Sequence, residues 1–120
     1  RSKALPSLTR SKKLWKKAET GGAGLSDTET ALNVTEKKLN SLKTAVMDGN
    51  NEIYEKAIGE LLFSVVGLSR FLHIDSEESL YRVCDAFIAR FKALEAEAAS
   101  KGTAIQNLSS KEIAKLWNET

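Results

Sequence analysis

The sequence has few of the residues on which catalytic and metal chemistry usually depends. Its 120 residues include one cysteine, Cys84, and one histidine, His73. A single cysteine excludes an internal disulfide and fits a reducing compartment, so we expect a cytoplasmic protein. Without a second histidine or cysteine nearby, these two side chains are more typical of packed or helix-capping residues than of a nucleophile or a metal ligand.

The sequence also has neither a strong excess of one charge nor a long apolar run. The formal net charge is only +2, and the local basic cluster near the start is more typical of a solvated helix face than of a nucleic-acid site. This cluster contains Arg10, Lys12, Lys13, Lys16 and Lys17. The apolar stretch 61–68 is interrupted by Ser64 and Gly67 and is far shorter than the ~20 residues of a membrane span. We therefore expect no nucleic-acid partner and no membrane partner.

Helix-period hydrophobic patterning is what the sequence does contain. No useful stretch alternates at period two, so we predict an all-α fold, and the length favours a single domain over residues 1–120. Because the first residue is Arg1 rather than Met, the sequence also fits the C-terminal part of a longer chain. Residues 52–74 are predicted to form a buried central helix. Its apolar residues recur at steps of three and four: Ile58, Leu61, Leu62, Val65, Leu68 and Leu72.

Start and stop signals divide the rest of the chain into four further helices. The first is predicted to begin at Pro6 and to end at Gly21 and Gly22. Capping-box patterns predict the start of the second helix and of a short last helix. These patterns are Ser26 with Glu29, and Ser109 with Glu112. The second helix is predicted to end at the turn residues Asp48, Gly49, Asn50 and Asn51. A long fourth helix is predicted after Asp75 and is expected to close at Gly102.

Two of these helices carry an apolar seam that should face the core. The second helix presents Leu32, Thr35, Leu39, Leu42 and Val46, and the fourth presents Leu80, Val83, Phe87, Phe91, Leu94 and Ala98. Three long antiparallel helices with a shorter helix at either end predict a bundle. Its apolar surface exceeds what one subunit of this size easily hides, so we expect a homodimer or a higher homo-oligomer.

Ordered residues across four helices carry a family resemblance. They are Glu55, residues 58–63, Val66, Leu68, Ser69, Arg70, Leu72, His73, residues 77–80, Phe87, Arg90, Phe91, Glu95, Gly102, Leu108 and residues 113–117, with residues 5–8 upstream. This order resembles the MazG-type nucleoside triphosphate pyrophosphohydrolases over nearly the whole chain. The resemblance implies an all-α, usually dimeric fold that in active members cleaves a nucleoside triphosphate to the monophosphate and pyrophosphate.

The resemblance also implies a magnesium site. Active members hold Mg²⁺ with an E-E-x-x-E pattern on the second helix and E-x-x-D on the central helix, and bind the triphosphate with K-F-x-x-R on the following helix. In this sequence the E-x-x-D positions are Ala57 and Glu60. The K-F-x-x-R positions keep Arg90, whereas the lysine is replaced by Ala86.

Two registers are open for the acidic pattern on the second helix. One places Glu36, Lys37 and Asn40 at the acidic positions, and the other places Lys37, Lys38 and Ser41 there. We prefer the second register, because residues 37 and 40 point nearly opposite the predicted apolar seam, where no interior metal site could form. The preferred register leaves no carboxylate on this helix.

Two functions remain open from the sequence. We favour a MazG-like module that has lost magnesium-dependent catalysis, needs no cofactor and serves in binding or assembly, with a nucleotide as a candidate ligand. The alternative is a weak or altered nucleoside triphosphate pyrophosphohydrolase that uses Mg²⁺. Glu60 and Glu36 are the candidate remnants of the metal site, Arg90 is the candidate substrate-binding residue, and no residue is assigned a catalytic role. An ordinary ion pair of Glu60 with Lys56 is an alternative interpretation.

Overall fold

The computed structural model describes residues 6–118 of the chain, and among these residues every regular element is a helix. The α-helices are α1 (Ser7–Thr20), α2 (Thr28–Asp48), α3 (Asn51–Phe71), α4 (Ser76–Ser100) and α5 (Ser110–Asn118), with a 3₁₀ turn at Ile105–Asn107. The predicted all-α class is confirmed, as are three long helices with a shorter helix at either end. Of the residues that carry the family resemblance, Leu5 and the side chain of Trp117 lie outside the described part.

The described residues divide into two compact units between Glu77 and Glu78. The first unit contains α1, α2 and α3, and the second contains most of α4 together with α5. The prediction of one domain stays a prediction. No single described helix is long and apolar enough to cross a membrane, although α3 and α4 meet that criterion of length and composition when they are taken together as one broken segment.

In the first unit, α2 and α3 form a helical hairpin around a two-residue turn. Gly49 ends α2 in the left-handed conformation at φ 70°, which costs glycine little because it has no Cβ atom. Asn50 then caps α3, since its Oδ1 accepts hydrogen bonds from the backbone N–H groups of Glu52 and Ile53. The turn predicted from these residues is confirmed.

The start of α2 differs from the prediction by one residue. Asp27 is the N-cap, and its Oδ1 accepts a hydrogen bond of 2.7 Å from the backbone N–H of Thr30. The hydroxyl of Ser26 instead lies 3.2 Å from the hydroxyl of Thr30. The predicted capping box of Ser26 with Glu29 is therefore wrong. A carboxylate at the N-cap satisfies an orphan backbone donor and also suits the positive end of the helix dipole.

Small side chains form the buried faces of the hairpin. On α3 the buried residues include Ala57, Ser64 and Gly67, and on α2 they are Ala31 and Ala45. Side chains of this size let helix backbones approach one another closely. Val66 is the one larger side chain that is buried on α3, so most of the buried positions of this helix are small.

The large apolar residues predicted for the core of α3 are mostly exposed within this chain. Ile58 is 47% exposed, Leu62 is 53% exposed and Leu72 is 49% exposed. On α2 the same is true of Leu32 and Val46, which we also expected to be buried. The prediction of a central helix buried through its leucine stripe is wrong for the chain by itself. Helical periodicity identified an apolar face, but it did not identify which face lies against α2.

Helix α1 is fixed to α3 by Trp15. The indole Nε1–H donates a hydrogen bond of 2.8 Å to the backbone carbonyl oxygen of Phe63, and the indole stacks on the Phe63 ring at a centroid distance of 4.7 Å. Gly67 lies one turn further along α3, and a Cβ atom there would be 2.6 Å from Cε2 of Trp15. The contact therefore needs glycine at this position.

The second unit packs the C-terminal half of α4 against α5. Leu94, Ala98, Leu108 and Leu116 are buried together, and Phe87, Phe91, Ile105 and Ile113 pack against them. This part of the predicted α4 seam is confirmed. Further towards the N-terminus of α4, Leu80 and Val83 are exposed, so that part of the prediction is wrong.

Helix α5 starts with the predicted capping box. The Ser109 hydroxyl accepts from the backbone N–H of Glu112, and the backbone N–H of Ser109 donates to the Glu112 carboxylate. Lys101 also donates a hydrogen bond to this carboxylate. The hydrogen bond from Lys101, followed by those from Ser109, lowers the pKa of Glu112 from 4.5 to about 2.

Two glycine-to-alanine substitutions on α3 test the contact with Trp15. We expect Gly67→Ala to lower the free energy of unfolding by about 1–3 kcal/mol, because the added methyl group overlaps the indole ring. Gly59→Ala is the matched control, since no atom lies within 4 Å of its added Cβ. The control should leave stability unchanged or raise it by up to about 1 kcal/mol. Urea denaturation measures both, and equal effects at the two positions would contradict the packing described here.

Candidate functional site

The candidate site lies in a cleft between α2 and α3, where one ion pair joins the two helices. The Nζ of Lys38 lies 2.8 Å from Oε2 of Glu60, within hydrogen-bond distance. Lys38 reaches this point because it lies seven residues from both Ala31 and Ala45, the two buried residues of α2, and so shares their face. The two side chains are 38% and 41% exposed, so the pair is partly shielded from water.

A cavity of about 380 Å³ opens beside this ion pair. Its walls come from all three helices of the first unit: Trp15, Val34, Lys38, Lys56, Gly59, Glu60, Phe63 and Ser64. The Ser64 hydroxyl already donates to the backbone carbonyl of Glu60, one turn earlier. Two lysines and one carboxylate are therefore the charged groups of the cavity wall.

The ion pair keeps Glu60 ionised. The hydrogen bond from Lys38 lowers the pKa of Glu60 below its ordinary value of 4.5, and the positive charge of Lys38 adds to this effect. Lys56 makes a smaller contribution through its charge alone. The interpretation that Glu60 pairs simply with Lys56, four residues earlier, is therefore wrong: the direct partner of Glu60 is Lys38 on the neighbouring helix.

The two candidate acids are not brought together. Glu36 is exposed on α2, and it lies two residues before Lys38, which corresponds to nearly the opposite side of the helix. Lys37 and Asn40, the other positions of that register, are exposed as well. In the register that we prefer, Lys38 faces Glu60, whereas Ser41 is exposed. Glu36 and Glu60 do not share a site in this structure.

Arg90 belongs to the second unit and contacts the backbone of α5. Its Nε–H donates a hydrogen bond of 3.2 Å to the carbonyl oxygen of Leu116. The contact connects α4 to α5 close to the end of the chain, and it contributes to the packing of this unit.

The two residues set aside on sequence grounds have ordinary positions. His73 follows the end of α3 with φ 57°, and the backbone N–H of Ile74 bonds the carbonyl of Ser69, as in a Schellman cap. Of the two ordinary roles expected for His73, packed or helix-capping, the structure shows the second. Cys84 is exposed on α4.

The residues around Glu60 do not fit a magnesium ion. Mg²⁺ requires near-octahedral oxygen ligands, and a protonated lysine offers no lone pair. Lys38 occupies one carboxylate oxygen of Glu60, and Ala57 supplies no ligand one turn earlier. Among residues 6–118, no group of three or more histidine, cysteine, aspartate or glutamate side chains is arranged to hold a metal ion.

The fold and the cleft define an all-α helical domain, and comparison with known proteins identifies its relatives. The chain is 30% identical over 115 residues to the nucleoside triphosphate pyrophosphohydrolase/pyrophosphatase MazG of Thermotoga maritima, and this alignment covers 96% of the chain and 44% of that protein. It is 24% identical over 122 residues to the nucleoside triphosphate pyrophosphohydrolase of Escherichia coli, and that alignment covers 98% of the chain and 45% of that protein. About half of the chain, 61 residues, is 38% identical to 12% of the uncharacterized protein YabN of Bacillus subtilis. No family model matches the sequence.

These alignments show that nearly the whole chain is similar to MazG-type nucleoside triphosphate pyrophosphohydrolases, and the predicted resemblance is confirmed. The chain spans less than half the length of the two pyrophosphohydrolases that it matches along nearly its whole length. The activities in those names are those of the relatives.

Removing the Lys38 ammonium group tests the electrostatics of the cleft. We expect Lys38→Met to raise the pKa of Glu60 towards 4.5, because both the hydrogen bond and the neighbouring charge are lost. Lys56→Met should raise it less, since Lys56 acts only through its charge. Carboxyl-selective ¹³C NMR titration of Glu60 measures these values.

The same titration shows in which direction the stability of the fold changes with pH. Because folding lowers the pKa of Glu60, the stability from the ion pair is present above pH 4.5 and is lost as the pH falls through the folded-state pKa. A Glu60 pKa that does not change in Lys38→Met would contradict the contact.

Proposed function

We propose that this chain is a MazG-type domain that does not catalyse magnesium-dependent hydrolysis and that serves as a binding and assembly module. The ion pair of Lys38 with Glu60, with its N–O distance of 2.8 Å, is the observation that carries the proposal. A lysine ammonium group is held against the one carboxylate that remains at the E-x-x-D positions. A divalent cation would have to displace it, and would then find Ala57 in place of a second acid.

The positions inferred for the second helix and for α4 support the same proposal. Lys37, Lys38 and Ser41 take the acidic positions in the register that we prefer, and Ala86 takes the position of the phosphate-binding lysine. A metal ion that bridges phosphate oxygens stabilises the transition state by several kcal/mol, and each 1.4 kcal/mol is about tenfold in rate. Its loss removes useful turnover.

With Cys84 as the single cysteine of the sequence, we place the domain in the cytoplasm.

The alternative function is a weak or altered nucleoside triphosphate pyrophosphohydrolase. Two relatives favour it, since the names of both describe that activity. It requires metal ligands from other residues, such as Glu52 or Glu55 near the start of α3, or from a partner subunit. Both of these glutamates are exposed in this chain.

A turnover assay separates the two functions. We expect no release of pyrophosphate above background from any common ribo- or deoxyribonucleoside triphosphate, with either Mg²⁺ or Mn²⁺ present. Glu60→Gln is the control, because it removes the remaining carboxylate without changing the size of the side chain. Metal-dependent turnover in the parent chain that disappears in this variant would establish the enzymatic alternative.

The assembly part of the proposal is supported by the exposed apolar face of α3. Four large residues on α3 and just beyond its end lie at helical spacing and are at least 40% exposed: Ile58, Leu62, Val65 and Leu72. Such a face is costly to leave in water, and a second copy of the chain is the partner that a homodimer supplies. We propose that this face forms the dimer interface.

Sedimentation equilibrium at micromolar concentration tests the interface. The parent chain should sediment as a dimer, and Leu62→Lys should shift it towards the monomer by at least tenfold in dissociation constant, because a lysine charge is buried against apolar side chains. Met47→Lys is the matched control on α2, where the methionine is 87% exposed, and it should remain dimeric. A folded monomer for the parent chain would rule out the proposed assembly.

A further inference from the structure

We infer that the cleft between α2 and α3 binds phosphate-type anions without a metal ion, through the side chains of Lys38 and Lys56. This inference rests on the proposed loss of the magnesium site and gives the altered cleft a ligand class. In metal-dependent relatives the resemblance implies acids that hold a cation, whereas here the cleft wall itself carries the cations.

The charge balance of the cavity favours an anion. Lys38 and Lys56 both line the cavity, and Glu60 is the single carboxylate on its wall. Lys56 forms no ion pair within 4.0 Å among the residues that the structure describes. Lys38 uses one of its three N–H donors for Glu60, so further donors remain for a ligand oxygen. An incoming anion thus meets two ammonium groups opposed by one carboxylate.

The shape of the cavity suits a small ligand. Its volume of about 380 Å³ falls within the roughly 300–1000 Å³ that is typical of small-molecule sites. Gly59 leaves one wall bare, because no atom lies within 4 Å of where its Cβ would be. The stacked rings of Trp15 and Phe63 form another wall.

Glu60 distinguishes this site from a metal site. In a metal site Glu60 is a ligand, so replacing it weakens binding. In the anion site Glu60 competes with the ligand for Lys38, so replacing it strengthens binding. The effect of Glu60→Gln therefore has opposite signs in the two cases, and this sign does not depend on whether the protein has any turnover.

Isothermal titration calorimetry with inorganic pyrophosphate, in the presence of excess EDTA, tests the inference. We expect saturable binding to the parent chain, at least tenfold weaker binding to Lys38→Met, and several-fold tighter binding to Glu60→Gln. Lys43→Met is the matched control, since Lys43 is also exposed on α2 but does not line the cavity. This control should bind as the parent chain does.

Two further arms locate the site and identify the source of the anion. Trp117→Phe leaves Trp15 as the single tryptophan of the sequence, so that its fluorescence reports binding at the cavity wall. Phenyl phosphate is then compared with pyrophosphate: tighter binding of phenyl phosphate supports a phosphoryl group on a larger molecule whose ring lies against Trp15, and tighter binding of pyrophosphate supports a free inorganic anion. Binding that requires Mg²⁺, that weakens in Glu60→Gln, or that is absent for both probes at millimolar concentration overturns the inference.

Discussion

The close approach of α1 and α2 to α3 is the constraint on which the first unit depends. Three of the buried residues of α3 are Ala57, Ser64 and Gly67, which have small side chains or none. Their size lets neighbouring side chains reach the backbone or the polar groups of α3. Trp15 can therefore donate to a main-chain carbonyl of α3, and Lys38 can reach Glu60 across the helix interface. The anchoring of α1 and the electrostatics of the cleft follow from this one feature.

This arrangement separates the interior of the hairpin from its largest apolar residues. The buried residues of α2 and α3 are alanine, serine and glycine together with Val66, while several leucine, isoleucine and valine side chains of α3 lie partly in water. Burial of apolar surface is the main favourable term in folding, so a face of this kind is most stable when another surface covers it. One face of α3 therefore packs within the chain, and the other is the face that we propose for assembly.

Local features of the fold could be predicted from the sequence, and features that depend on helix pairing could not. The turn at Gly49 and Asn50 and the capping box of Ser109 with Glu112 were predicted, because their hydrogen bonds join residues within one or two turns of each other. The face of α3 that lies against α2 was not predicted. Several apolar faces are possible on that helix, and only the register between two helices decides which one is covered.

The same distinction applies to the candidate site. Glu60 was identified from the family pattern, and the preferred register put Lys38 at a position of the second helix that faces it. An ion pair with Lys56 on the same helix was the alternative, because contacts four residues apart are visible in a sequence. Lys38 is 22 residues away, so its contact with Glu60 depends on the hairpin register. The sequence nevertheless contained a signal. Lys38 lies seven residues from Ala31 and seven from Ala45, so it shares the helix face of the two small residues that are buried on α2.

The central claim is that a lysine has taken the position of a metal ion beside Glu60, and paramagnetic NMR tests it most directly. Mn²⁺ bound at a site broadens the amide signals of residues within reach of its unpaired electrons, and it does so whether or not any reaction follows. With Mn²⁺ added alone, without any phosphate ligand, the account predicts no selective broadening of residues 57–64, and no difference between the parent chain and Glu60→Gln. Saturable broadening centred on Gly59, Glu60 and Leu61 that is lost in Glu60→Gln would contradict it.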